Sequence, residues 1–93
     1  MPETGKTVLV VGSLHYDIMV EAGHLPRRDE TAVGTRWYPK FGGKGGNQAV
    51  SCRKNGVDAR MVGAVGRDDF GRFLRDTLQA EGVDHRFVAD CPD

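Results

Sequence analysis

The 93 residues predict an α/β fold: the start of a parallel sheet core with a two-strand β excursion inserted after its first strand. Three observations carry that reading. Two β-branched apolar runs, TVLVVGS at Thr7 to Ser13 and ARMVGAVG at Ala59 to Gly66, suit strands buried on both faces of a parallel sheet. Each is followed along the chain by a segment of helical character. Between the first run and its helix lie two stretches that alternate polar and apolar residues, the period of half-exposed strands.

Taken in order, the first strand ends at Gly12-Ser13 and points its carboxyl end toward Asp17. The segment DIMVEA, residues 17–22, places Ile18 and Val20 on one side and Asp17, Met19 and Glu21 on the other. A second alternating segment, TAVGTRWY at residues 31–38, carries Thr31, Val33, Thr35 and Trp37 on one side. GHLPRRDE between them has the glycine, proline and charge of a connecting loop. NQAVSCRKNG predicts a short helix from about Gly45 to Lys54, stopped by Asn55-Gly56. After the strand at Ala59 to Gly66, RDDFGRFLRDTLQAEG gathers Phe70, Phe73, Leu74, Thr77 and Leu78 on one helical face, with Asp68 or Asp69 as its cap and Gly82 as its end. HRFVAD offers one more strand. A parallel sheet needs helices on both faces, and two helices are few for that, so residues 1–93 are expected to be an incomplete domain, the opening of a larger one.

Composition narrows the partners. Thirteen basic side chains balance thirteen acidic ones, so no net field gathers nucleic acid or anionic lipid. The longest purely apolar run, Val8 to Val11, is far short of the ~20 residues that cross a bilayer, which predicts a soluble, cytoplasmic chain with no membrane partner. Cys52 and Cys91 stand far apart, and His15, His24 and His85 are scattered, so no structural metal is expected.

The stretch KFGGKGGNQAV, residues 40–50, puts four glycines and a lysine before a helix, a place where backbone N–H groups favour anions. Its spacing fails as a phosphate loop. Gly43-Lys44 is followed by Gly45 rather than Ser or Thr, and Tyr38 stands where the motif should open. In the dinucleotide pattern Gln48 occupies the third glycine position. A neutral polyol fits better: Asn47 offers a donor and an acceptor, Lys44 a cationic donor, and bare glycine backbone admits a ligand closely. Asp17, at the carboxyl end of the first strand, accepts hydroxyl protons where open α/β sheets bind ligands.

GSLHYD, FGGKGGNQAV and VGRDDFG, in this order and at these separations, resemble the amino-terminal third of the ribokinase-like (PfkB-type) carbohydrate kinases. The likeness runs from Val8 to about Val88. It implies an ATP- and Mg2+-dependent kinase that phosphorylates a hydroxymethyl group of a pentose or related sugar, and it makes the β excursion a lid that doubles as a homodimer surface. By the same resemblance Asp17, Gly43, Lys44, Gly45, Gly46 and Asn47 belong to the sugar site, Gly42 and Gly43 form the lid hinge, and His15 stands where ribose-binding members have asparagine. The Gly-Ala-Gly-Asp signature of the catalytic base and anion hole has no counterpart before Asp93, so no catalytic residue and no bound cofactor is expected of this chain alone.

Plainer readings stand beside these. Asp17 can cap a turn, Asn47 a helix, and Lys44 can be a solvated side chain. His15 can be packed or solvent-facing. Asp68 and Asp69 are read as structural, and Trp37 and Tyr38 either stack on a sugar or face a partner. A non-catalytic sugar-binding or dimerisation module is the competing function.

Overall fold

The computed structural model describes residues 6–92. In chain order these form β1 (Thr7–Val11), β2 (His15–Ala22), β3 (Gly34–Gly42), α1 (Lys44–Lys54), β4 (Asp58–Gly66), α2 (Asp69–Ala80) and β5 (Asp84–Cys91). Strands β1, β4 and β5 make a parallel sheet in that spatial order, while β2 and β3 pair antiparallel as a separate two-stranded lid.

Alternation along the strands decides where the core lies. Val10, Met61, Val65 and Val88 point to one face and meet Ala49 of α1 and Leu74 and Leu78 of α2, with Val83 closing the cluster. Met61 and Leu78 are the largest side chains wholly removed from solvent. Both crossovers run in the same direction across the sheet, so both helices fall on this one face.

The other face is open, which corrects the expectation that the first strand is buried on both sides. Val11, Val62 and Phe87 are in register across the three strands, and Val11 is 73% and Phe87 51% exposed. Of β1, only Val10 is buried.

The helix ends follow the sequence closely. Asp68 caps α2 with extended backbone, and its Oδ1 accepts from Gly71 N–H at 2.8 Å. Beyond α1, Gly56 with φ 80° donates to Arg53 O and Val57 donates to Cys52 O. Gly82, φ 78°, and Val83 repeat the arrangement after α2, bonding Gln79 O and Leu78 O. Both are Schellman closures, in which a left-handed glycine lets the last carbonyls find donors.

The lid differs in extent from its prediction over 17–22 and 31–38. Thr31 and Val33 lie in the connection, where Glu30 folds the chain back by accepting from Arg27 N–H and pairing with His24. At its other end the pairing runs on through Lys40 to Gly42, because Phe41 opposite Tyr16 is drawn into the core. A register shift between Glu21 and Ala22 marks the distal end of the hairpin.

Candidate sugar site at the base of the lid

The hairpin has two chemically distinct faces. His15, Asp17, Met19 and Glu21 lie in register with Gly42, Lys40, Tyr38 and Arg36 on one of them. Tyr16, Ile18 and Val20 lie with Phe41, Pro39 and Trp37 on the other. The second face is anchored at its base: the Tyr16 ring lies 4.5 Å from that of Phe70 and 5.2 Å edge-on from that of Phe73. Toward its tip the polar face is occupied by its own contacts, with Arg36 3.3 Å from Glu21 and 5.2 Å from the Tyr38 ring centroid. What remains available is the base, around Asp17.

Asp17 is half-buried, and its side chain reaches diagonally back across the hairpin to Gly42. A Cβ on Gly42 would overlap Asp17 Oδ2 and sit 3.0 Å from Cγ. The carboxylate is therefore aimed at the end of β3, two residues before α1 begins.

Gly43 turns the chain from β3 into α1. Its φ of 97° is open only to glycine at little cost, and a Cβ there would meet Ser13 O and His15 N. No side chain caps the helix at this position and no acidic residue occupies its first turn. Asn47 is not the cap: it lies one turn inside, where its N–H makes the helical bond to Gly43 O at 2.9 Å. Its side chain and that of Lys44 are exposed.

Gly45 and Gly46 face inward instead. A Cβ on Gly45 would lie 2.8 Å from Gly12 C and 2.9 Å from Met61 Cε, and one on Gly46 2.7 Å from the Phe41 ring. Gly46 N–H donates to Ser13 O at 3.0 Å. These two glycines let the first turn of α1 lie flush on the loop after β1, which brings the helix to the carboxyl end of that strand. His15 is exposed at the foot of β2, on the same face as Asp17.

Lys40 was not singled out from the sequence, yet it stands directly opposite Asp17 on this face. Among the described residues no side-chain ion pair or hydrogen bond engages Lys40 or Lys44. The hairpin register is the signal that exposes Lys40, and it depends on the pairing running to Gly42.

Other polar features lie elsewhere. A depression of about 310 Å³ beside α2 is lined by Arg67, Asp68, Arg72, Arg75, Asp76 and Asp90, and one of about 550 Å³ lies between Val8, Val11, Gln48 and Ser51. Neither includes Asp17, Lys44 or Asn47. At the opposite end of the sheet, hydrogen bonds from the Arg86 backbone and side chain hold the Asp84 carboxyl below its usual range, with Arg60 adding charge. Among the described residues no three His, Cys, Asp or Glu side chains gather as a metal site, and no helix is long and apolar enough to cross a membrane.

Comparison with known proteins bears on this arrangement. A model described as pfkB family carbohydrate kinase matches residues 6–92. The chain is 38% identical over 78 residues to a ribokinase of Bacillus subtilis, covering 84% of this chain and 27% of that protein. To a ribokinase of Mus musculus it is 34% identical over 91 residues, covering 98% and 28%. The structure of an Arabidopsis thaliana ribokinase complexed with ribose and ATP superposes with a TM-score of 0.78 at 34% identity, covering 90% of this chain and 28% of the other. The chain thus spans little more than a quarter of the length of these relatives.

Proposed function

The chain belongs to the pfkB family of carbohydrate kinases, and from that premise we propose that it carries part of the sugar-binding site of an ATP-dependent kinase acting on a hydroxymethyl group of a pentose or related sugar. The observation that carries this reading is the placement of the Asp17 carboxylate on Gly42, at the point where the lid meets the amino end of α1.

Ionised, Asp17 only accepts hydrogen bonds, and it suits two vicinal hydroxyls. Lys44 donates, and the Asn47 amide does both. The lid brings the acceptor, and the helix brings the donors. Supported by its position opposite Asp17, Lys40 joins them at the rim. ATP and Mg2+ would supply the phosphoryl group and its charge compensation in such an enzyme. The residues present do not fit either group: Gly45 follows Gly43-Lys44, and among the described residues no carboxylate cluster accompanies them. On this reading the 93 residues supply neither the catalytic base nor the nucleotide site.

Titration of the chain with ribose, followed through the amide signals of Lys44 and Asn47, tests the reading. Asp17→Asn keeps the shape but swaps an acceptor for a donor, and an unmatched polar group of this kind costs about 1 to 3 kcal/mol, so affinity should fall roughly 5- to 150-fold. Equal affinity in both proteins, or no response of these signals to ribose, would remove it.

A second reading, a homodimer formed through the lid, is favoured by one specific observation. The face away from Asp17 shows Ile18 at 57%, Val20 at 61% and Trp37 at 63% exposure, side by side on the hairpin. An apolar patch on a two-stranded sheet with unpaired edges invites a partner.

A further inference from the structure

Gly42 and Gly43 are adjacent, and the structure gives them different work. Gly43 needs its glycine for backbone reasons, since its φ is 97°. Gly42 does not share that demand: among the described glycines only Gly43, Gly56 and Gly82 have positive φ, so the sign of φ does not call for glycine at position 42. It is buried, and the three atoms nearest to a Cβ placed on it are Oδ2, Cγ and Oδ1 of Asp17.

We propose that Gly42 is a positioning residue for the sugar site: its bare Cα is the seat on which the Asp17 carboxylate rests, and the missing side chain aims that carboxylate at the first turn of α1. Direct register would place Asp17 over Lys40, at the open rim. Only a residue without Cβ at position 42 leaves the diagonal path free. On this account Gly43 bends the chain, and Gly42 also shapes the acceptor.

The sugar-binding consequence rests on the reading of Asp17 as hydroxyl acceptor, whereas the steric relation does not, and the experiment separates them. Gly42→Ala is measured in the wild-type chain and in an Asp17→Ala background by urea unfolding. Overpacking should shift the folding equilibrium constant roughly 5- to 150-fold against the fold in the first case, and less than about threefold in the second, where nothing occupies the seat. The carboxyl 13C signal of Asp17 should move in Gly42→Ala without any sugar present. Failure of Gly42→Ala to fold, combined with normal folding of the double variant, supports the seat equally well. Equal penalties in both backgrounds, or an unmoved Asp17 signal, overturn it.

Ribose titration then reads the functional half. Gly42→Ala should weaken binding about as much as Asp17→Asn does. Should the steric coupling hold while ribose affinity stays unchanged in Gly42→Ala but falls in Asp17→Asn, the positioning role is overturned; should neither variant change ribose affinity, Asp17 is not the acceptor.

Discussion

The Tyr16 and Phe70 rings pack with centroids 4.5 Å apart and planes tilted by 38°, which fastens the strand that carries Asp17, from its reverse side, to helix α2. Adjacent residues of a strand point to opposite faces, so Tyr16 holds the lid to the body while its neighbour Asp17 lies on the polar face opposite Lys40. Truncating this half-buried ring loses its packing and two aromatic contacts. Tyr16→Ala should destabilise by about 2 kcal/mol, and Tyr16→Phe by less than about 0.5 kcal/mol. Urea unfolding measures both, and amide exchange should quicken in β2 and β3 ahead of the parallel sheet. Uniform quickening throughout the chain would show that the ring serves the core alone.

Asp68 accepts from Gly71 N–H and satisfies one of the donors that begin α2. Asp68→Ala should cost about 1 kcal/mol and Asp68→Asn only a few tenths, since asparagine caps as well. The comparison of unfolding midpoints is the check. It also separates capping from charge, because both variants lose the carboxylate.

Asp84 sets a pH dependence. Its carboxyl is held below the ordinary value of 3.8, first by the backbone N–H of Arg86 and then by the Arg86 side chain. A lowered folded-state value means that the unfolded chain binds the proton more readily. The contribution is present above the ordinary carboxylate value and is lost as pH falls below it through the folded value. Its half-buried position, still open to solvent screening, keeps the effect small. Unfolding measured at pH 6 and near pH 3 should show a smaller drop in Asp84→Asn than in the parent. Identical drops would show that the Arg86 contacts are not populated in solution.

The apolar lid face predicts association. Trp37→Lys or Val20→Lys puts charge in the middle of the Ile18, Val20 and Trp37 patch, at positions whose exposure leaves the fold unaffected. Sedimentation velocity should show dimers of the parent chain and monomers of either variant. A parent that sediments as a monomer at all concentrations would exclude the lid as a self-association surface.

The legible parts of this sequence were those where one residue type has one cause. Asn55-Gly56 and Gly82 announced the helix ends because left-handed closure favours glycine so strongly, and Asp68 announced its cap. The glycine loop was legible only as a loop. Four glycines look alike in sequence, yet one is set by φ, one by the Asp17 carboxylate, and two by close packing on Gly12 and Phe41. Local composition does not separate these, since the contacts come from a residue 25 positions away for Gly42 and from residues 5 to 33 away for the others. The exposure of Leu9 and Val11 was equally hidden, because an apolar run does not reveal which face its crossovers will cover. Lys40 was missed for want of the hairpin register.

The lid is spliced into the connection between β1 and its sheet partner, so Thr7 meets Asp58 across a sequence separation of 51. On a ribosome β1 emerges well before its sheet partner β4, while the hairpin and α1 can close from residues already made. Val8 to Val11 must wait for β4 with their backbone groups unpaired, and that interval, rather than any state of the finished molecule, is when this segment is most open to capture by another nascent chain or a chaperone.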